Sequence, residues 1–291
     1  MIREVFEIPS PREIRDSIFS GEILWIRQQP DLIKFCDRVQ KICIDHLNDS
    51  DPSSTLDRLN YDDWAKLIFK YQTIAQLDSQ CINLFKQFLI SLDYPQNKTY
   101  ADRFIFRVVP PESSNPNPTH GSVTVHRDTW GAGIYQQINW WGPIFPYPEK
   151  TGIKFYIDYF NQPIKNTTTD WRYNRYATAK EKQIEHYRPT DYQAVPVPLE
   201  EPGGQVLQPT LEPGDILCFS AAHLHGSSQN LSSRCRLSFE TRTVSLVDIQ
   251  SGKKAPNQDN VSTSRMTRLF RNLADGSALM PNHFKQVVAP K

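Results

Sequence analysis

Residues 211–244, LEPGDILCFSAAHLHGSSQNLSSRCRLSFETRTV, decide the fold. The tetrapeptide EPGD is typical of a tight turn, and it leads into the apolar run ILCF, which predicts a strand. A pair of histidines, His223 and His225, follows this strand. The run RLSFETRTV then predicts another strand, whose arginines lie at alternating positions. The stretch therefore predicts β-strands with ionisable side chains gathered near their ends.

The surrounding residues, 101–250, also have the texture of a β protein. Short β-type runs, RFIFRVV, SVTVHRD, GIYQQINWW and KFYIDYF among them, are separated by Pro, Gly and Asn. The 22 prolines of the chain suit a loop-rich β fold. Residues 161–200 are rich in Thr, Asn, Tyr, Arg and Pro, and we expect them to form a long insertion between strands. Insertions of this length usually serve as lids or binding loops.

Residues 10–95 are predicted to be helical. Ser10, Pro11 and Glu13 match a capping box with proline at the first helical position. Apolar residues then recur at three- and four-residue spacings from Trp64 onward. Helices first and strands afterwards indicate an α+β protein in which an antiparallel sandwich or barrel is flanked by N-terminal helices.

The chain is expected to form one domain over residues 1–291. We divide it into a helical flank at 1–100, a β core at 101–250 that carries the insertion, and a polar C-terminal extension at 251–291. A short helix is predicted in this extension around SRMTRLFRNLA, residues 264–274.

Composition excludes several classes of function. The 33 basic and 32 acidic residues leave a formal charge of +1, so no global field favours nucleic acid or an anionic membrane. No apolar run has the length of a signal peptide or a membrane span, and we expect a cytoplasmic protein. The five cysteines form no C-x-x-C pair and are expected to be buried apolar residues rather than zinc ligands.

The segment SVTVHRDTW carries the first candidate for metal chemistry. His126 and Asp128 are two residues apart at the end of an alternating run, and in a strand both side chains would leave the same face. Such a pair alone is also compatible with a surface turn. One later histidine would complete two imidazoles and one carboxylate, which is the facial triad of Fe(II) sites with open positions for a co-substrate and dioxygen.

The order of the motifs H-x-D, P-G-D-I-L-x-F, L-H-G-S and R-x-S resembles the Fe(II)- and 2-oxoglutarate-dependent dioxygenases, in particular their phytanoyl-CoA dioxygenase-like branch. The resemblance covers about residues 100–250. It implies a double-stranded β-helix, a cupin-like jelly roll, with helices packed against one sheet. It also implies that Fe(II), 2-oxoglutarate and O2 take part in the reaction.

Carried over to this chain, the family's metal ligands fall on His126, Asp128 and His225. Its 2-oxoglutarate arginine, 11 residues after the last ligand, falls on Arg236, and Ser238 occupies the R-x-S position. A guanidinium group can pair with the distal carboxylate of 2-oxoglutarate through two parallel bonds.

His223 and Arg234 show the same spacing and form an alternative pair. The H-G-S context and the R-x-S serine favour the later pair, His225 and Arg236.

Further candidate contacts to the co-substrate or the substrate are Ser227, Gln137 and Asn139. Ser227 belongs to the H-G-S triplet, and alternation places the two amides on one face of the run GIYQQINWW. Arg242 is predicted either to bind substrate or to form an ordinary ion pair. Arg103 and Arg107 lie on the preceding strand, where the family often has a basic contact to the co-substrate.

The expected reaction is hydroxylation of an unactivated C–H bond with release of succinate and CO2. Asp128 argues against halogenation, because halogenases of this family have a small residue at that position. Desaturation, epimerisation and ring formation stay open. The alternatives are a cupin-type metal enzyme that does not use 2-oxoglutarate and a non-catalytic jelly-roll binding protein.

The substrate is expected to be a polar small molecule. The family's Asn-Gly-x-Leu and Pro-Gly-Ser-His landmarks are missing, which argues against a fatty acyl-CoA. The insertion is polar and aromatic, with Trp171, Arg175, Tyr176 and His186 among its residues. This texture is similar to that of hydroxylases that tailor secondary metabolites, such as aminoglycosides or the alkaloid cylindrospermopsin. Sequence leaves the oligomeric state open.

Overall fold

The protein combines helices and strands in a mixed α+β arrangement, with most of the helices in the first hundred residues. The computed structural model describes residues 1–115, 123–173, 175 and 195–284. The α-helices are α1 (Pro11–Phe19), α2 (Pro30–Leu47), α3 (Tyr61–Leu77), α4 (Ser79–Ser91), α5 (Asp128–Ala132) and α6 (Leu246–Ser251). The strands are β1 (Ile2–Val5), β2 (Ile23–Ile26), β3 (Thr99–Ala101), β4 (Ile105–Val109), β5 (Ile138–Pro143), β6 (Ile153–Tyr156), β7 (Val206–Leu207), β8 (Ile216–Ser220), β9 (His225–Ser227), β10 (Arg236–Ser245) and β11 (Arg271–Asn272). Short 3-10 helices span Pro52–Arg58, Gln96–Lys98, Glu112–Ser114, Ile157–Phe160 and Pro281–Phe284.

The strands form two sheets that are largely antiparallel. In the larger sheet the order is β1-β2-β8-β5-β10-β3-β11, and β4 also pairs with β10. The smaller sheet has the order β7-β6-β9. Only β1 and β2 pair in parallel among the described strands. Phe155 of the small sheet and Phe219 of the large sheet meet edge to face, with ring centroids 4.9 Å apart, so the sheets share an apolar layer.

The N-terminal helices cover one face of the larger sheet. Phe35 of α2 packs against Phe239 of β10 with ring centroids 4.7 Å apart, and Phe88 of α4 packs against Trp140 of β5 at 5.7 Å. These buried aromatic rings belong to the main apolar cluster, and their burial is the dominant favourable term in docking the helices. Because successive residues of a strand point to opposite faces, the neighbours of Phe239 in β10 point away from the helices.

The predicted start of the first helix is confirmed. Ser10 caps α1 by accepting from the backbone N–H of Glu13 at 3.3 Å, and the Glu13 carboxylate accepts from the backbone N–H of Ser10 at 2.8 Å. Pro11 is the first helical residue, where its missing N–H costs nothing. The helix ends at Phe19, and Ile14 and Ile18 form part of its buried face.

Two segments differ from the sequence prediction. Residues 23–26 form β2 instead of continuing the helical flank, and Leu24 pairs with Cys218 of β8. An apolar run of four residues has no resolvable period, so pattern alone could not separate strand from helix. Residues 264–274 contain a turn and β11 instead of a helix, and Arg271 pairs with Ala101 of β3. In both cases the segment satisfies the backbone of a strand edge.

The described ends of the predicted insertion pair with each other. Thr167 N–H donates to Val197 O at 3.0 Å, and Leu199 N–H donates to Lys165 O at 2.8 Å. Residues 174 and 176–194 lie outside the described residues. The predicted polar and aromatic character of that part is therefore a property of the sequence alone.

The five cysteines are buried, as predicted. Burial raises the pKa of the Cys36 and Cys43 thiols to about 12, which keeps them protonated and unreactive. Among the described residues, none of the helices combines the length and the apolar character that a membrane crossing demands.

Candidate metal centre

Two chain segments, residues 126–128 and β9, bring the candidate ligands together. His126 and His225 face each other in an antiparallel bridge, in which each backbone N–H donates to the other residue's carbonyl, at 2.8 and 2.9 Å. Asp128 is the first residue of α5, which ends at Gly133 with a φ of 63°. The prediction that His126 and Asp128 share one strand face was wrong, because the chain turns into a helix after Arg127. The turn nevertheless directs the carboxylate toward both imidazoles.

The donor atoms of this triad converge. The Asp128 carboxylate lies 3.6 Å from His126 Nε2 and 3.8 Å from His225 Nε2. All three donor atoms lie within 4.8 Å of one another, and the two ring centroids are 4.5 Å apart. Two imidazoles and one carboxylate at these separations can bind a single divalent cation from one side.

Hydrogen bonds fix the tautomer of both histidines. His126 Nδ1 lies 2.9 Å from Thr124 O, and His225 Nδ1 lies 2.9 Å from His223 O. A carbonyl oxygen only accepts, so each Nδ1 carries a proton, which leaves Nε2 as the ring nitrogen that can bind a metal. Burial, helped by nearby His126, lowers the pKa of His225 to about 4. This imidazole is therefore neutral at pH 7, as metal ligation requires.

The Asp128 carboxylate is held from two further directions. Asn139 Nδ2 donates to Oδ2, and Arg242 Nη2 lies 3.5 Å from Oδ1. Burial alone would raise the pKa of Asp128, but the positive charge of Arg242, with smaller contributions from the neighbouring imidazoles, lowers the pKa well below its usual range. The carboxylate is thus ionised and oriented before any metal arrives.

The two predicted amide contacts occupy different places. Asn139 lines the pocket and contacts Asp128, whereas Gln137 is fully buried behind it and donates through Nε2 to Asn139 Oδ1 at 2.8 Å. The two amides form a chain that ends on the carboxylate. In this geometry Gln137 supports Asn139 and does not itself line the pocket.

Arg127 ties the ligand segment to the rest of the protein. It is buried, and its two terminal nitrogens donate to Ala222 O at 2.5 Å, Tyr159 O at 2.6 Å and Gln162 O at 2.9 Å. Its Nε donates to the Asp259 carboxylate at 3.2 Å. The sequence analysis did not identify the ion pair between Arg127 and Asp259. The position of Arg127 between the two ligands His126 and Asp128 is the sequence signal that could have drawn attention to it.

Arg236 and Ser238 lie at alternate positions on one face of β10, and Arg236 lines the pocket of the triad. Arg236 is 1% exposed, and its Nε and Nη2 have no hydrogen-bond partner among the described residues. The hydroxyl of Ser238 also lacks a partner within that part of the chain. Burial lowers the pKa of Arg236 to about 10, and its guanidinium carbon lies 5.7 Å from the Trp141 ring centroid. Ser227 lines the pocket too, but its hydroxyl already accepts from the backbone N–H of Val123 at 3.0 Å.

Arg242 and its neighbours form a charged network beside the triad. Arg242 lies 3.2 Å from Asp102, 3.4 Å from Glu240 and 3.5 Å from Asp128. Arg107 donates to both oxygens of Glu240, at 2.7 and 3.1 Å. Of the two arginines predicted on this strand, Arg107 therefore reaches the pocket, whereas Arg103 is exposed.

Glu240 is a pocket residue that sequence reasoning missed. The alternation of side chains could have identified it, because Glu240 lies on the same face of β10 as Arg236, Ser238 and Arg242.

The alternative pair lies elsewhere. His223 Nδ1 is 3.0 Å from Ser220 O, its Nε2 is 3.2 Å from Gly21 O, and its ring packs on Phe160. Arg234 lies partly in solvent and pairs with Asp51. The structure therefore brings His225 and Arg236, and not His223 and Arg234, to the pocket of the triad.

Comparisons with known proteins give structural similarity at low identity. No family model matches the chain, and no curated protein matches it. EvdO2 from Micromonospora carbonacea var. aurantiaca complexed with 2-oxoglutarate is 11% identical with a TM-score of 0.46, over 84% of this chain and 94% of that one. AviO1 from Streptomyces viridochromogenes Tue57 is 12% identical with a TM-score of 0.41, over 82% and 96%.

A third similar structure is SnoN, the non-heme alpha ketoglutarate dependent epimerase from nogalamycin biosynthesis. It is 9% identical with a TM-score of 0.41, over 81% of this chain and 82% of that one. At this level of similarity, the evidence for function is the geometry of the pocket itself.

Proposed function

We propose that this chain is an Fe(II)- and 2-oxoglutarate-dependent oxygenase that hydroxylates an unactivated C–H bond of a polar small molecule. The observation that carries the proposal is the convergence of His126 Nε2, His225 Nε2 and the Asp128 carboxylate within 4.8 Å. The fold we assign to it is a double-stranded β-helix in a single domain, flanked by the N-terminal helices.

The donor set fits Fe(II). Two neutral imidazoles and one carboxylate are the ligands of the facial triad, which leaves coordination positions open toward the pocket. A structural zinc site would need four protein ligands, usually with cysteine, and the cluster found among the described residues has three donors and no sulfur. His126, Asp128 and His225 would hold the metal.

The same pocket fits 2-oxoglutarate. A buried guanidinium with two unpaired nitrogens is costly unless a ligand supplies acceptors, and Ser238 presents an unpaired hydroxyl two residues along the same strand face. A carboxylate would satisfy both groups, with two parallel bonds from Arg236. Ser227 lies at the pocket wall as an additional contact.

Iron, 2-oxoglutarate and dioxygen supply the oxidising power when bound, with succinate and CO2 as the products of the co-substrate. The residues of this chain bind and orient the reactants. Thr124 O and His223 O hold the two imidazole rings in place, and Asn139 holds the carboxylate. Trp141 and Phe219 line the pocket with apolar surface, which limits the access of water.

We assign the enzyme to the phytanoyl-CoA dioxygenase-like branch because of the order of its sequence motifs. We propose that its substrate is a secondary metabolite. Support for a polar substrate comes from the charged pocket wall of Arg107, Glu240 and Arg242. A fatty acyl chain placed against this wall would displace the water around these charged groups without offering them polar contacts. We further propose a cytoplasmic location, where a small-molecule substrate is the partner.

Anaerobic titration with Fe(II) and 2-oxoglutarate tests the proposal. We expect the weak visible charge-transfer band of the chelate in the wild-type protein, and its loss in His225→Ala and Arg236→Ala. His223→Gln is the matched control, because His223 lies two residues away in the chain and outside the triad; this variant should retain the band.

Succinate formation with candidate substrates then separates the alternatives. Iron binding without the band would indicate a cupin-type enzyme that does not use 2-oxoglutarate. A protein that binds no divalent metal would instead be a jelly-roll binding protein.

A further inference from the structure

Arg242 lies where three carboxylates meet. Its two terminal nitrogens are 3.2 Å from Asp102, 3.4 Å from Glu240 and 3.5 Å from Asp128. Only Asp128 belongs to the triad. A cation that binds at the triad must therefore share this carboxylate with a positive charge that is already paired to it.

An arginine in this position cannot yield by losing its proton. The guanidinium group stays charged at every accessible pH, so it can relieve repulsion from an incoming dication only by moving. The other two carboxylates are already within reach and are held in place. Asp102 Oδ1 accepts from the backbone N–H of Arg103 at 2.7 Å, and Arg107 binds both oxygens of Glu240.

We infer that Arg242 is the counter-ion of Asp128 in the metal-free protein, that it weakens the binding of the divalent cation, and that it transfers to Asp102 and Glu240 when the cation binds. This inference rests on the proposed function, because it concerns the same metal site. It assigns Arg242 a role in metal affinity and exchange, in place of substrate binding or a purely structural ion pair.

A purely structural role predicts the opposite effect. If Arg242 mainly orients Asp128, its removal disorders a ligand and weakens metal binding. If it competes with the cation, its removal strengthens metal binding. The sign of the change in affinity therefore separates the two roles without any measurement of turnover.

Co(II) binding to the full chain, followed through its visible absorption in the absence of 2-oxoglutarate, is the test. We expect Arg242→Gln to bind Co(II) at least about tenfold more tightly than wild type, as befits removal of one nearby charge. Arg242→Lys keeps the charge and should stay within about threefold of wild type. Arg107→Gln is the matched control, because within the described part of the chain Arg107 forms an ion pair with Glu240 and none with Asp128. This variant should lack the tighter Co(II) binding of Arg242→Gln.

A second variant keeps the inference testable if Arg242→Gln does not fold. Asp102→Asn removes one of the carboxylates that would receive Arg242, so the arginine stays on Asp128 and Co(II) should bind several-fold more weakly. The inference is overturned if Arg242→Gln binds Co(II) no more tightly than wild type, or if Asp102→Asn binds Co(II) as tightly as wild type. Either result leaves the proposed function intact. A wild-type protein that binds no Co(II) overturns both.

Discussion

Replacing Arg236 by methionine should make the protein more stable when 2-oxoglutarate is absent. The guanidinium is 1% exposed, and its Nε and Nη2 have no hydrogen-bond partner among the described residues. Burial lowers the pKa of Arg236 to about 10, which reflects the cost of keeping this charge away from water. Methionine has a similar length and flexible, apolar character, so it can fill the same space.

The expected magnitude follows from the groups involved. Each buried donor without a partner costs about 1–3 kcal/mol, and two such donors are present. The contact with the Trp141 ring, 5.7 Å from the guanidinium carbon, offsets about 1–2 kcal/mol of this cost. We therefore expect Arg236→Met to raise the free energy of unfolding of the ligand-free protein by about 1–3 kcal/mol.

Urea unfolding with and without 2-oxoglutarate, in the presence of Co(II), measures both halves of the effect. At 100 times its dissociation constant, 2-oxoglutarate should stabilise wild type by about 2.7 kcal/mol and leave Arg236→Met unchanged. Arg107→Met is the control: its guanidinium is paired with Glu240, so its loss should destabilise the protein. A ligand-free Arg236→Met that is less stable than wild type would refute the reasoning, because Arg236 would then already be satisfied by the protein.

Three further changes test other parts of the structure. Asp128→Ala should abolish succinate formation and weaken Co(II) binding by more than about 100-fold, and normal turnover would defeat the triad. Asp259→Asn leaves Arg127 buried without its charged partner and should lower the free energy of unfolding in urea by about 3–5 kcal/mol. A decrease below about 1 kcal/mol would contradict a stabilising role for the Arg127–Asp259 ion pair. Burial, which outweighs the charge of Arg15, raises the pKa of Asp248 to about 6, well above the usual range of an aspartate. The folded state therefore binds the Asp248 proton more tightly than the unfolded state, so the contribution of Asp248 to stability is fully present below about pH 4 and falls by up to about 3 kcal/mol as pH rises through 6. Asp248→Asn should remove this fall, and an unchanged pH profile of the unfolding free energy would exclude the assignment.

The N-terminal helices and most strands could be predicted from sequence because their signals are local. The capping box of Ser10 and Glu13 involves four consecutive residues, and the alternation of β10 is contained in one strand. The strand at 23–26 and the missing helix at 264–274 could not be predicted in the same way. Each adopts its form because an edge of the larger sheet needs a neighbour, and that edge is formed by residues far away in the chain.

The same distinction between local and long-range signals applies to the candidate site. The residues of the triad could be singled out by type and order, but spacing alone did not show that Asp128 begins a helix or that His126 and His225 pair through their backbones. The supporting groups were harder still. Asp259 and Asp102 reach the site from separate segments, and their contacts with arginines arise only once the fold has brought these segments together.

One strand face explains why similar residues have different roles. Arg236 and Arg242 both lie on β10, six residues apart, and both point into the pocket. Arg242 has three carboxylates within 3.5 Å, whereas two nitrogens of Arg236 have no partner in the part of the chain that is described. Burying a cation costs free energy because the cation loses its contacts with water. Carboxylates of the protein can offset this cost, and where they are missing a bound anionic ligand can offset it instead. The end of β10 at Arg236 is therefore the end that awaits an anionic co-substrate, and the end at Arg242 is the one that adjusts the charge of the metal site.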